Sequence, residues 1–454
     1  MYDLVIIGAG PGGYYTADFA AKNGLKTAIF EAQNIGGVCL NYGCIPTKAL
    51  LKASEYASYI KNAHEWGVNV SSFDIDINKM ITHSREVVKT LTGGIEFLFR
   101  KSKVDVLKTY AKISKINKDS FEIKGEDGKI ISAKRVILAT GASQRALPSN
   151  PFSKRIWDVK TSMMPQFIPK KLAIIGAGAI GMEFANFYSN LGVQVTVLEM
   201  MPKILGNTDA EISKFVQKSF ASQINFNLGI TIDEIKESDE NVSIAFSVNG
   251  EKKIDKFDAV IVAIGVVPNT KDFPDVALEK NYFKTNETHE TNIPNLFAIG
   301  DCASPPWLAH KATHEGIRVV RHIKGETLRA LPNVPMCIYT HPQVASIGKT
   351  EEELRLEYGS SFDEKIKITR SHFNANGKAL AIKEGQGLIK ILVDKKTTEL
   401  LGVHMVGPDV TELIHSCALG MQVEATALDW VETIFPHPTL SETMHEAFME
   451  VLYK

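Results

Sequence analysis

A short apolar run, a turn spelled Gly-x-Gly-x-x-Gly, a helical stretch and a second apolar run ending on an acid occur twice in this 454-residue chain. In the first copy Leu4 to Ile7 leads into Gly8, Gly10 and Gly13, a helix is expected from Tyr14 to Asn23, and "KTAIF" runs to Glu31. In the second, "KLAIIGAGAIGMEFANFYSNLGVQVTVLE" carries Leu172 to Ile175, then Gly176, Gly178 and Gly181, and ends on Glu199. Runs with no polar position read as parallel strands buried on both faces. The first glycine permits the tight turn, the second lets backbone approach a pyrophosphate, and the third lets helix pack on strand. The helix N-terminus offers free N–H groups and partial positive charge to phosphate. Each acid lies 18 residues past its third glycine, placed to accept hydrogen bonds from ribose hydroxyls. Two Rossmann-like units, and so two dinucleotide sites, are expected.

Glu199 also bears on which nicotinamide nucleotide fits. A carboxylate facing a 2′-phosphate at about 5 Å costs ~2–3 kcal/mol at intermediate dielectric. In "EMMPKILGN" Lys203 is the only nearby cation, so NAD is favoured over NADP.

Net charge is −1, which offers no basic surplus for nucleic acid or anionic membrane. The longest apolar runs, such as Ala259 to Val267, are too short to span a bilayer. Met1 runs almost directly into the first strand, the reverse of a signal peptide, and five cysteines do not make a disulfide scaffold. A cytoplasmic setting is expected, or the mitochondrial matrix for a processed chain, and no metal site.

Two further stretches carry chemistry. "GGVCLNYGCIPTK" sets Cys39 and Cys44 five positions apart. Outside oxidising compartments such pairs bind metal or do redox work, and the spacing alone leaves both open. "FPHPTLSE" holds His437 between prolines with Glu442 five residues later, the makings of a carboxylate-held general base. In "NLFAIGD", Asp301 ends a short strand, either as a cofactor contact or as a solvated turn acid.

With two dinucleotide units and a thiol pair just after the first, the chain resembles the flavoprotein disulfide reductases, in particular their lipoamide-oxidising branch. "GGVCLNYGCIPTK", "LATGAS", "GAGAIGMEFA", "AIGVVPNT", "FAIGDCA", "LAHKATHEG", "YTHPQVASIG" and "HPTLSE" carry the resemblance along essentially the whole chain. It implies FAD at the first unit and NAD at the second. It also implies a C-terminal α/β dimerisation domain, giving FAD-binding segments at 1–143 and 268–335, an NAD-binding domain at 144–267 and the dimerisation domain at 336–454.

By the same resemblance Cys39 exchanges with substrate and Cys44 sits against the flavin. Lys48 lies near the flavin paired with Glu183, and His437, oriented by Glu442, serves as base for the disulfide of the other subunit in a homodimer. Ala111, Thr140, Gly141, Asp301 and Ala309 join the FAD contacts, and Gly265 the NAD contacts. The implied reaction oxidises protein-bound dihydrolipoamide and reduces NAD. The implied partner is a lipoylated E2 acyltransferase of a 2-oxo acid dehydrogenase complex, or the H protein of glycine cleavage.

Geometry adds a condition. A disulfide needs Cα atoms roughly 4.4–6.8 Å apart, whereas positions five apart on a regular helix lie roughly 8–9 Å apart and face away from each other. Cys39 and Cys44 can pair only if the first helical turn is distorted, which Gly43 permits. Pro46 suits the start of the regular helix that carries Ala49 to Tyr59. A pair held in an irregular turn is of the reducible kind, and zinc would want further Cys or His at ligand spacing. Cys302, Cys337 and Cys417 read as buried structural residues. His310, His314 and His341 read as structural too.

Two positions depart from the family: Val266 stands where an arginine often follows "AIG", and Ala179 where a larger side chain often gates the nicotinamide pocket. Rival readings are a sister reductase for glutathione, trypanothione or mercuric ion, which Glu199 disfavours, and a non-catalytic flavoprotein, which an intact cysteine, histidine and glutamate set disfavours.

Overall fold

The structure, a computed structural model, describes residues 1–453. Both glycine turns sit at the centre of five-stranded parallel sheets built to one plan. In the first, the order is Leu296–Ala298, Val136–Leu138, Leu4–Ile7, Thr27–Phe30, Asp105–Leu107. In the second, it is Ile156–Trp157, Ala259–Val262, Lys171–Ile175, Gln194–Glu199, Ile224–Leu228. Each also carries a three-stranded antiparallel meander just before its crossing strand: Ala111–Ile116, Phe121–Gly125 and Ile130–Ala133 in one, Thr231–Glu237, Val242–Val248 and Glu251–Phe257 in the other. The apolar runs Leu4–Ile7 and Leu172–Ile175 are buried throughout, as strands covered on both faces require.

The units differ in the source of one edge strand. The second takes Ile156–Trp157 from the residues just before its glycine strand, whereas the first takes Leu296–Ala298 from far downstream. The chain therefore leaves the first sheet, completes the second, and returns. Its outgoing and incoming paths are zipped as an antiparallel ribbon, Ala142–Gln144 against Val266–Pro268.

The first glycine helix starts at Pro11, three residues earlier than expected, and runs to Lys22. Proline at the first turn loses no hydrogen bond there, so the glycines that follow it are helical. Small residues on this helix and on the helix Ala309–Ile323 let the two approach closely: a Cβ on Gly316 would overlap the Thr16 hydroxyl, and one on Gly12 would press on Ala312 at 3.2 Å.

The C-terminal sheet is antiparallel, in the order Met336–Ile338, Gln343–Gly348, Leu400–Gly407, Leu388–Asp394, Ile366–His372. Helices Val410–Gln422 and Glu442–Tyr453 pack on it over a core that includes Ile389, Val403, Met405, Trp430 and Phe448. Buried Lys390 joins this sheet to the second dinucleotide unit. Its ammonium reaches Asp209 at 2.9 Å, Glu351 at 2.7 Å and Glu211 at 3.3 Å, and Arg370 also pairs with Glu211. No helix among the described residues is long and apolar enough to cross a membrane.

Candidate active site

The thiol segment is anchored on the first glycine turn. The Gly36 N–H donates to the Ala9 carbonyl at 2.8 Å, and Gly37 stands against Gly10, where a Cβ would lie 2.6 Å from its Cα. A short helix, Gly37–Tyr42, then carries Cys39. It ends at Gly43 (φ −143°, ψ −116°), and a second helix, Cys44–Lys61, begins at once. The distortion that pairing requires is thus a complete break between helices. Across it Cys39 and Cys44 are joined in a disulfide, with Cα atoms 4.8 Å apart. A side chain at Gly43 would crowd Cys39 Cα and the Val38 carbonyl at 3.1 Å. The other three cysteines are held as thiols by burial, which pushes Cys337 up to about 11 and Cys417 up to about 12 and also raises Cys302.

Lys48 follows Cys44 by four residues and so lies on the same helical face. Its Nζ donates to both carboxylate oxygens of Glu183, at 2.9 Å each. Glu183 is buried on the helix Ala179–Asn190, directly after the second glycine turn. This bridge ties the thiol helix to the second unit.

The two turns repeat each other closely. Gly8 and Gly176 have φ of +105° and +101°, and a Cβ on either would overlap a carbonyl oxygen, that of Ala139 or Ala263. Gly13 and Gly181 back onto the carbonyls of Gly8 and Gly176 in the same way. At Gly10 and Gly178, by contrast, a Cβ would meet nothing within 4 Å, and no side chain caps either helix. Each turn is therefore a backbone-lined recess open to an anion, which fits a pyrophosphate.

The acids have a second job that their spacing did not reveal. Glu31 accepts the Ala9 N–H at 2.8 Å and the Gln33 N–H at 2.7 Å; Glu199 accepts those of Ala177 at 2.6 Å and Met201 at 2.8 Å. Each carboxylate braces its own glycine turn and keeps further lone pairs for a ribose.

Asp301 lies in a short 3₁₀ turn after Leu296–Ala298. Burial raises its carboxyl above the ordinary range, with Lys311 opposing and Glu315 adding to the shift. Thr140 and Gly141 are fixed by Asn269: the Thr140 hydroxyl donates to the Asn269 carbonyl at 2.7 Å, and Asn269 donates to the Thr140 and Gly141 carbonyls at 2.9 and 3.0 Å. Ala309 opens the helix Ala309–Ile323, and Ala111 opens the first strand of the first meander. Gly265 (φ +96°) has the exposed indole of Trp307 about one van der Waals contact from where its Cβ would stand. These residues fit one dinucleotide at each turn.

His437 Nδ1 pairs with Glu442 Oε1 at 2.9 Å, and Glu442 Oε2 accepts the Thr439 N–H at 2.8 Å. The Thr439 N–H and then His437 hold the Glu442 carboxyl below its ordinary value. The His437 ring is 78% exposed, and among the described residues no hydrogen bond or ion pair links this dyad to Cys39 or Cys44. Its free face is open to solvent.

Two features escaped sequence reasoning. The Tyr339 backbone N–H also donates to Glu183, at 3.0 Å, and its ring lies against Lys48. Buried Lys311 and Glu315 pair at 2.6 Å, and Glu315 accepts the Gly300 N–H at 2.7 Å, next to Asp301. The i, i+4 spacing within "LAHKATHEG" was a usable signal for the second; nothing local marks the first.

Comparison with known proteins gives concordant results. Residues 2–316 match the pyridine nucleotide-disulphide oxidoreductase family, and residues 334–448 match the dimerisation domain of that family. A dihydrolipoyl dehydrogenase of Zymomonas mobilis is 40% identical, with 99% of this chain and 97% of that one aligned. The mitochondrial dihydrolipoyl dehydrogenase 1 of Arabidopsis thaliana is 38% identical over 98% of this chain and 90% of its own. Among solved structures, LpdA from Mycobacterium tuberculosis shares the fold, with a TM-score of 0.91 at 23% identity and 99% of each chain covered. The HOCl-induced flavoprotein disulfide reductase RclA from Escherichia coli superposes with a TM-score of 0.85 at 26% identity, covering 100% of both chains.

Proposed function

This chain belongs to the pyridine nucleotide-disulphide oxidoreductase family, and from that premise we propose that it is an FAD- and NAD-dependent dihydrolipoyl dehydrogenase. The observation that carries the proposal is the Cys39–Cys44 disulfide, set across a helix break and stitched to the first glycine turn, in a chain similar along its whole length to dihydrolipoyl dehydrogenases. FAD would be held by Gly8, Gly10, Gly13, Glu31, Thr140, Gly141, Asp301, Ala111, Ala309 and Lys48. NAD would be held by Gly176, Gly178, Gly181, Glu199 and Gly265. The FAD domain would comprise 1–143 and 268–335, the NAD domain 144–267 and the dimerisation domain 336–454. Bound FAD and NAD supply the two-electron acceptor and the hydride acceptor that return the centre to its disulfide state.

The protein's own residues perform the thiol chemistry. Thiolate is the nucleophile, and a free thiol is mostly protonated near neutrality. His437 Nε2 takes the proton from one substrate thiol while Glu442 holds Nδ1–H and stabilises the imidazolium. The substrate thiolate attacks Cys39 Sγ; the Cys39–Cys44 bond breaks, and its electron pair leaves on Cys44 as thiolate. The second substrate thiol then attacks the mixed disulfide. This closes the lipoyl disulfide and releases Cys39, which takes up that thiol's proton. The dithiol is oxidised by two electrons and the protein disulfide reduced by two.

Because His437 faces outward, the active unit would be a homodimer in which each chain supplies the base for its partner's disulfide. The substrate arm would come from a lipoylated E2 acyltransferase or a glycine cleavage H protein, in the cytoplasm or mitochondrial matrix. The test is the initial rate of NADH formation from dihydrolipoamide and NAD, with NADP in parallel. Turnover with NAD and little with NADP is expected; a flavin-loaded protein with no turnover refutes the reading.

A further inference from the structure

Lys48 is the one ammonium on the thiol helix that is ion-paired to the second glycine helix. Two hydrogen bonds to one carboxylate leave a flexible lysine head free to pivot. The structure closes that freedom from a third direction. The Tyr339 ring centroid lies 4.6 Å from Lys48 Nζ, and the Tyr339 N–H donates to Glu183 Oε1, the oxygen that also accepts from Lys48. One residue thus contacts both members of the pair, the cation through its π face and the anion through its backbone.

Tyr339 is itself anchored. Two residues on, the His341 N–H donates to Asn186 Oδ1 at 2.9 Å, on the same helix as Glu183 and about one turn further along. Tyr339 directly follows the strand Met336–Ile338 of the C-terminal sheet. The seating of that sheet on the glycine helix therefore decides where the ring stands. Burial, and then the nearby Cys337, Glu412 and Glu183, keep the phenol protonated, so the ring meets Lys48 as a neutral π face.

We propose that Tyr339 is a positioning residue: its ring holds the Lys48 ammonium on Glu183, so that the C-terminal unit fixes the positive charge beside the redox centre. The consequence for turnover rests on the dihydrolipoyl dehydrogenase reading; the clamp itself does not.

The test compares holoprotein of wild type with Tyr339→Phe, Tyr339→Leu and Tyr339→Met. Each is treated with the N-hydroxysuccinimide ester of acetic acid, and Lys48 acylation is followed by peptide mass spectrometry alongside kcat and KM for dihydrolipoamide. The leucine and methionine variants should acylate Lys48 roughly 2- to 30-fold faster, the range a cation–π contact supports. They should also lower kcat with KM unchanged, while the phenylalanine variant matches wild type. Wild-type Lys48 reactivity in both aliphatic variants overturns the proposal. So does a phenylalanine variant that behaves like leucine, because the hydroxyl would then be the agent. Faster acylation of buried Lys311 and Lys390 alongside Lys48 in both aliphatic variants also overturns it, since it marks a general structural role. A wild-type protein inactive on dihydrolipoamide that still shows the acylation pattern refutes the functional reading and leaves the clamp in place.

Discussion

Replacing Glu199 with glutamine separates the brace that the structure shows from the nucleotide selection proposed for the same side chain. In the proposed NAD site the carboxylate would face the ribose, where a 2′-phosphate at about 5 Å would be disfavoured by ~2–3 kcal/mol, roughly a hundredfold. The same carboxylate accepts the N–H groups of Ala177 at 2.6 Å and Met201 at 2.8 Å. Glutamine keeps the shape but presents an NH₂ to one of those donors. The lost hydrogen bond to a charged acceptor is worth about 1.5–3 kcal/mol and loosens the turn that cradles the pyrophosphate.

The repulsion acts on NADP alone, whereas the brace serves both nucleotides. In Glu199→Gln, kcat/KM for NAD should therefore fall roughly 10- to 150-fold. The NADP-to-NAD preference should rise by roughly a hundredfold. Steady-state rates with both nucleotides, at saturating dihydrolipoamide, read the two effects independently. Glu31→Gln is the matched control. Its carboxylate braces the first turn in the same way, so it should release FAD more readily and leave nucleotide preference untouched. An unchanged NADP-to-NAD ratio in Glu199→Gln would show that selectivity is set elsewhere. A changed ratio with undiminished use of NAD would remove the brace.

Cys39→Ser should reduce NADH formation from dihydrolipoamide to background while FAD remains bound, as read from the visible spectrum; retained turnover would end its role as exchange thiol. His437→Gln should cost roughly 10²–10⁴-fold in turnover, and an unchanged rate would remove it from the mechanism. Around buried Lys390, Asp209, Glu211 and Glu351 are each opposed by burial, but hydrogen bonds and charge from Lys390, Arg370 and Arg355 outweigh it and hold the three carboxyls below their ordinary values. Depressed carboxyls give stability that is present above their unfolded pKa values, about 4, and is lost as pH falls through the folded ones. Lys390→Met should lower stability at pH 7 by about 3–5 kcal/mol, as removal of one partner from a buried pair does. It should also flatten the acid limb of a thermal-denaturation profile, and an acid limb as steep as wild type would refute the linkage.

What could be read directly was local in sequence. Gly8, Gly10 and Gly13, or Cys39 and Cys44, fall within a few residues of each other, and the sterics of a turn or a helix dictate their spacing. The alternation of strand and helix around them was legible for the same reason, and the helix that begins at Pro11 rather than Tyr14 shows the margin. The pairing of Lys48 with Glu183 came only through family resemblance, because nothing local relates residues 135 apart. The resemblance also supplied His437 as base, and its outward face shows why no in-chain pattern could link it to the cysteines.

Tertiary structure alone decided the rest. Glu31 and Glu199 look like ribose ligands in sequence, yet the fold returns each to its own glycine turn as a brace, because parallel pairing puts the ends of neighbouring strands side by side. Tyr339 is an unremarked residue after a short strand until the C-terminal sheet docks and lays its ring on Lys48. Lys390 sits in an apolar strand whose pattern predicts burial, and the acids that make a charge tolerable there, Asp209 and Glu211 of another unit and Glu351 of its own, meet it only in the folded chain. Local sterics act within a turn or two and are written in spacing. Charge pairing and close packing act between surfaces that meet only once the chain has folded.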